Sequence, residues 1–260
     1  MVAGECEFRF YEELNDFLSP ARRRRAFRYR FNGTPAVKDT IEALGVPHTE
    51  IDLILVDGDP VRFSHRLRGG ERVAVYPVFE RLDITPIARL RPAPLRIPRF
   101  VADVHLGTLA RYLRLLGFDT QYDNNSVDAE LVRRSVAGRR ILLSRDVGLL
   151  KRKVLTRAHY VRATDPLRQL EEIVRALDLH SNIRPFTRCM RCNGRLRPFP
   201  AARVAGKVPP RVRAMTRRFA RCGGCGRLYW PGTHFERLTR IVADHAPDRP
   251  ETAPRSKGKP

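Results

Sequence analysis

Two cysteine pairs, Cys189-Met190-Arg191-Cys192 and Cys222-Gly223-Gly224-Cys225, constrain this chain more than any other feature. A spacing of two residues sets both thiolates on one tight turn, and two such turns complete the tetrahedral sulfur shell that Zn²⁺ prefers. Each pair is followed by the glycine that a metal knuckle tends to need, Gly194 and Gly226. Four thiolates leave no position open for water, so the spacing points to a structural zinc and not a catalytic one. Disulfide pairing is the competing reading, disfavoured in a chain that reads as cytosolic. The same stretch is strongly basic: residues 184–240 hold fifteen Arg or Lys against one acid, Glu236. A closed zinc module covered in arginine predicts a polyanionic partner, RNA or DNA.

The 260 residues suffice for one large domain or for two to three small ones. With 42% hydrophobic residues the chain can bury real cores, while 30% charged residues predict a soluble protein. No run approaches the ~20 apolar residues of a membrane span. Residues 1–7 show no basic region followed by an apolar stretch, so no signal peptide is read and a cytoplasmic location without membrane contact is expected. Net charge is +22, and arginine, whose planar fork suits phosphate, dominates it. Clustering of that charge is the stronger sign, because base bias in a genome also raises arginine content.

The chain divides by composition. Residues 5–10 and 26–31 alternate as strands, Val37–Gly45 reads as a short helix, and Ile51–Val56 and Arg72–Val78 are strands again. This order is that of a β-grasp over residues 1–85. Cys6, the one unpaired cysteine, reads as a small core or edge residue. Asp57-Gly-Asp and Gly69-Gly70-Glu-Arg-Val resemble the ubiquitin-like sulfur carriers, but Gly69-Gly70 is internal and offers no terminal carboxylate to activate. The domain is therefore read as a binding or packing module, with a protein partner possible for it. Residues 86–98 carry Pro86, Pro92, Pro94 and Pro98 and read as a stiff linker. Residues 99–182 alternate strands with helices, which predicts a parallel α/β sandwich. Residues 183–244 form the zinc ribbon, with a capping box at Thr233–Glu236 that opens a helix over 235–243. Residues 245–260 read as a disordered tail.

The chemistry is expected in the middle segment. In an open parallel sheet the carboxyl ends of the strands meet at one crevice, where ligands bind. Asp103 and Asp146 sit at predicted strand ends, and Asp128 lies in the first turn of a helix that can point to the same place. Such carboxylates bind Mg²⁺ or Mn²⁺ through oxygen and suit metal-assisted phosphodiester hydrolysis. Asp103 reads equally as an N-cap, Asp128 as a complement to the helix dipole, and Asp165 before Pro166 as an N-cap first of all. Arg111, Arg114 and Arg145 are the candidate phosphate contacts beside these acids. In the ribbon, Tyr229 and Trp230 are candidates for base stacking, with packing favoured for Trp230.

Phe100–Asp119, Ile141–Asp146, both cysteine knuckles and Tyr229–His234 occur in an order that resembles the Mut-seven C-terminal RNase family. Members are similar to PIN-type nucleases with a zinc ribbon appended, and some carry a ubiquitin-like domain in front. The resemblance implies a metal-dependent RNase with catalytic roles at Asp103, Asp128 and Asp146 and with Asp165 as a fourth acid. The competing reading is a non-catalytic RNA- or ribosome-associated adaptor, in which the ribbon and β-grasp bind partners and the acids are caps.

Overall fold

A computed structural model describes residues 3–78, 90, 97–232 and 235–246. Most of the expected linker at 86–98, residues 233–234 of the expected capping box, and 247–260 of the expected tail lie outside the described residues.

The N-terminal strand β1 (Ala3–Phe10) turns Cys6, Phe8 and Phe10 inward at alternate positions. It pairs antiparallel with β2 (Phe27–Asn32). Helix α1 (Val37–Ala43) lays Val37 and Ile41 on the sheet. Strands β3 (Ile51–Val56), β4 (Asp59–Pro60) and β5 (Arg72–Pro77) complete the order β2-β1-β5-β3-β4, with β1 and β5 parallel. This is the expected β-grasp. The internal Gly69-Gly70 is tied into it, since Gly70 N–H donates to Glu5 O at 2.7 Å.

The central sheet comprises β6 (Arg99–Ala102), β7 (Asp119–Gln121), β8 (Ile141–Ser144) and β9 (Ala158–Tyr160), all parallel in the order β7-β6-β8-β9. Between the strands run α2 (Gly107–Leu115), α3 (Asp128–Gly138) and the single turn α4 (Val147–Leu150), and α5 (Pro166–Ala176) follows β9. Phe100, Ala102 and Leu143 face one side, where Leu109 and Leu113 of α2 meet Leu170 and Ile173 of α5. Val101 and Leu142 face the other, against Leu131 of α3 and Leu149. The result is three layers, the burial of both faces that a parallel sheet requires. The N-cap position of α3 is Val127, and the hydroxyl of the preceding Ser126 accepts from Arg134.

The last part holds β10 (Leu196–Pro198), the short helix α6 (Pro210–Met215), β11 (Ala220–Cys222), β12 (Leu228–Tyr229) and α7 (Phe235–Ala243), with an antiparallel sheet β10-β11-β12. Val204, Val208 and Phe219 form its small core, and Trp230 packs against them within the ribbon, where the sequence reading favours packing of the ribbon against its neighbour. Helix α7, assigned from sequence to the ribbon, instead buries Ile241 and Val242 in the α2/α5 core of the central domain.

Both neighbours close an edge of the central sheet. At β9, the carboxylate of Glu50, 4% exposed, accepts from Tyr160 N–H at 2.8 Å and pairs with Arg162 at 3.4 Å. His48 joins Glu42 Oε1 (2.6 Å) to the Leu155 carbonyl (2.9 Å) across the same boundary. At β7, Thr120 N–H donates to Asn193 Oδ1 of the first cysteine knuckle at 3.1 Å. No helix among the described residues is long and apolar enough to cross a membrane.

Gly117 ends α2 at φ +99, and a Cβ there would lie 2.1 Å from the carbonyl oxygen of Arg184, where the chain passes toward the ribbon. Left-handed backbone and a clash with main chain that cannot relax combine at this position. Gly117→Ala is expected to lower the unfolding free energy by at least about 2 kcal/mol, measured by urea denaturation.

Candidate functional site

Strand order reverses between β6 and β8, because the chain leaves β6 toward β7 and leaves β8 toward β9. The crevice outside the carboxyl ends of these two strands is where an open α/β sheet binds ligands. Asp103 follows β6 directly and is 7% exposed. Its N–H extends the ladder to Leu143 O at 3.0 Å, its Oδ1 accepts from Val104 N–H at 2.6 Å, and its Oδ2 accepts from the Ser144 hydroxyl at 2.6 Å. Ser144, fully buried at the end of β8, accepts in turn from Asp146 N–H at 2.9 Å. One hydroxyl thus ties both strand ends and both acids together.

Asp146 is exposed, and its Oδ1 accepts from Gly148 and Leu149 N–H at 2.7 and 3.2 Å as the N-cap of α4. Its other oxygen carries no hydrogen bond among the described residues. Across the turn after Asp103, Tyr122 donates its hydroxyl to Val104 O at 3.0 Å. Gly107 makes room for it, since a Cβ there would lie 2.6 Å from the Tyr122 oxygen. Ser144, Tyr122 and Gly107 were not singled out from sequence. The one available signal was position, because all three stand at ends of elements around Asp103.

Other expected site residues fall differently. Asp128, the first residue of α3, is exposed, and no group of three carboxylates placed to hold a metal ion occurs among the described residues. Asp165 is the N-cap of α5, accepting from Leu167 and Arg168 N–H at 3.0 and 3.1 Å behind Pro166. Arg111 is exposed on α2. Arg145 donates to the carbonyls of Arg162 and Ala163 and so holds the loop after β9. Arg114 corrects the sequence reading. It is 3% exposed and donates to the carbonyls of Thr120 (2.9 Å), Met190 (3.1 Å) and Arg191 (2.8 Å). A buried guanidinium spent on three main-chain carbonyls is a tie between α2, β7 and the cysteine knuckle, with no access to a phosphate.

Two acids at one crevice, Asp146 with an oxygen that accepts no hydrogen bond among the described residues, are the residues that could hold a hard cation such as Mg²⁺ or Mn²⁺. Such ions keep several waters and bind through one or two carboxylates plus substrate phosphate. Among the described residues, no cage of three protein carboxylates is formed.

The four cysteine sulfurs lie within 4.8 Å of one another and could hold a zinc ion. Cys189 and Cys225 Sγ stand 3.7 Å apart, and Cys192 and Cys222 Sγ 3.4 Å. Tetrahedral Zn–S bonds of about 2.3 Å place sulfurs about 3.8 Å apart, whereas a disulfide needs about 2.05 Å. Knuckle N–H groups point at sulfur: Cys192 to Cys189 at 3.4 Å, and Gly224 and Cys225 to Cys222 at 3.3 and 3.4 Å. The two following glycines serve different ends. Gly226 takes φ +73, but in the first knuckle Asn193 takes φ +66 and Gly194 supplies clearance, a Cβ there lying 2.8 Å from Cys222 Sγ. Tyr229 does not stack openly, because its hydroxyl sits 3.0 Å from Cys189 Sγ. Burial pushes the Cys189 thiol up, but hydrogen bonds from Tyr229 and from knuckle N–H groups outweigh it and bring the group down to about 6. Burial and neighbouring sulfurs push Cys192 up to about 12, as expected where a first thiolate opposes a second. A dication resolves that opposition.

Asp119 locks the knuckle to the sheet. Its carboxylate accepts from Arg140 at 2.8 Å and Asn193 at 2.7 Å and pairs with Arg188 at 3.4 Å. Burial raises its pKa, but these bonds and charges more than offset that, leaving it below the usual range.

The family model described as Mut7-C RNAse domain matches residues 98–242, more than half of the chain, and the one described as Mut7-C ubiquitin matches residues 3–83. Searches of curated proteins and of solved structures found no match.

The purified chain is expected to carry a single zinc, lost in Cys222→Ser together with native near-ultraviolet circular dichroism, as elemental analysis and spectroscopy would show. Because folding lowers the pKa of Asp119, its contribution is complete above the unfolded value of about 3.9 and fades as pH falls through the lower folded value. The stability advantage of the natural chain over Asp119→Asn is therefore expected to shrink between pH 7 and about pH 3, read by urea unfolding at each pH.

Proposed function

We propose, for a chain that belongs to the Mut7-C RNAse domain family, that the crevice of Asp103, Ser144 and Asp146 is the active site of a metal-dependent ribonuclease that hydrolyses RNA phosphodiester bonds. The observation that supports this reading is one buried hydroxyl at the switch point of the parallel sheet, which donates to the Asp103 carboxylate and accepts from the main-chain N–H of Asp146. The carboxylate of Asp103 is held by two hydrogen bonds, one at each oxygen, which fix its orientation before substrate approaches. Asp146 keeps an oxygen free on an exposed strand end. Mg²⁺ or Mn²⁺ held by this pair supplies a water of lowered pKa and offsets charge on the phosphate oxygens. Asp128, exposed in the first turn of α3, and Asp165, occupied as a cap, stand outside this minimal pair. Arg111 and the exposed ribbon arginines hold the RNA backbone.

The adaptor reading keeps one observation in its favour, since Asp103, Asp146 and Asp165 all accept N–H groups at element starts. Asp146→Asn separates the two. Asparagine caps nearly as well as aspartate, so the fold is expected to hold. Cleavage of labelled RNA in Mn²⁺ should fall by roughly a hundredfold or more, and Ser144→Ala, which removes a group acting through Asp103, should cost about 10–100-fold. RNA binding by Asp146→Asn should stay equal or tighten slightly, because a negative charge near phosphate is lost. Unchanged cleavage in Asp146→Asn would overturn the assignment in favour of the adaptor.

A further inference from the structure

Helix α2 forms one wall of a cleft unrelated to the crevice's hydrogen bonds. The other walls are the ribbon sheet, α6 with the following Arg217 and Arg218, and α7. Its volume, about 1300 Å³, exceeds the roughly 300–1,000 Å³ of small-molecule pockets, and it opens broadly to solvent. Among the described residues, eight arginines and no acid line it. All but Arg188, which pairs with Asp119, are exposed. Between them stand Tyr112, Phe186, Trp230 and Phe235, each half-buried, and Met215, which is 74% exposed on α6.

We infer that this cleft is a track for single-stranded RNA leading to the crevice at Asp103. The inference rests on the ribonuclease reading for its choice of RNA and for the crevice at its end. Arginine without acid selects a polyanion, and size selects a polymer. The interleaved aromatic and thioether groups decide strandedness. Unpaired bases have faces free to lie on such groups, and stacking is tolerant of sequence. An A-form duplex hides its base faces and is held by backbone and shape, for which apolar lining is of no use. The chain's own residues 246–260, with four basic residues and two acids, do not complement a basic cleft. Thr108 and Arg111, in the first turns of α2, line the cleft, and α2 begins four residues after Asp103. A strand lying along α2 therefore runs toward the acidic pair.

The test uses the full chain carrying Asp146→Asn, so that binding is read without cleavage, with fluorescence anisotropy of a short labelled oligoribonucleotide that cannot self-pair. Single-stranded RNA is expected to bind at least about tenfold tighter than the same sequence as a duplex, and polyglutamate is expected not to compete. Reversing Arg217 and Arg218 to Glu should weaken binding about tenfold or more. It should also flatten the salt dependence, by about 0.7 in log–log slope for each phosphate no longer neutralised. Tyr112→Ala should weaken binding about 5–100-fold. Met215→Glu, at a highly exposed position where folding is not at stake, should weaken it too. Equal binding of duplex, full competition by polyglutamate, or unchanged binding in both the arginine pair and Met215→Glu would overturn the track. Binding that follows these expectations while the natural chain cleaves nothing in Mn²⁺ would leave the track standing and sink the ribonuclease reading. Cleavage with binding indifferent to the cleft variants would do the reverse.

Discussion

A parallel sheet of four strands buries both faces under helices but still leaves two open edges, and how those edges are closed organises this molecule. Unpaired edge groups invite association with other chains. At β9 the β-grasp domain supplies Glu50, a carboxylate almost without solvent that takes the Tyr160 N–H and the Arg162 guanidinium. At β7 the first cysteine knuckle supplies Asn193 for the Thr120 N–H, while Arg114 takes the Thr120 carbonyl and two knuckle carbonyls. The flanking domains are thus parts of one hydrogen-bonded whole. The four-cysteine cluster inherits a second constraint from this arrangement. Four thiolates around a Zn²⁺ would carry two net negative charges, and the buried Arg114, bonded to the knuckle that carries Cys189 and Cys192, is placed to offset one of them. An arginine that resembles a phosphate ligand in the sequence has its partner inside the fold.

At the crevice, capping and ligand binding are not alternatives. The N–H and O–H groups that satisfy Asp103 and Oδ1 of Asp146 also fix where those carboxylates stand. A carboxylate whose position is set before substrate arrives needs no reorganisation during reaction. What distinguishes Asp146 from Asp165 is company: both cap helices, but only Asp146 shares a hydroxyl with a second acid at a switch point. Asp165 caps an amphipathic helix away from that link, and local bonds account for it fully.

Much of the fold was legible because period and punctuation agree. The alternation over residues 5–10 and the helix closed at Gly45 act within a few residues, and the strand and helix of the structure follow them. The cysteine spacing was equally local. What stayed hidden is long-range pairing. Nothing near Arg114 in the sequence shows the knuckle carbonyls some 76 positions away, so it reads there as a candidate phosphate contact. Helix α7 follows the ribbon in sequence, yet its apolar face returns to the central core, a choice made by tertiary packing. Ser144 was overlooked since a serine at a strand end has no pattern of its own. Its role exists only because β6 and β8 lie side by side.

The account stands on Asp103 and Asp146 forming one divalent-metal site. Anomalous X-ray scattering from crystals of the natural chain soaked in Mn²⁺ tests this most directly. A manganese peak bonded to both carboxylates, absent from Asp146→Asn crystals grown alike, is the predicted result. Full density for both side chains with no manganese between them, under conditions where RNA is cleaved, would contradict it.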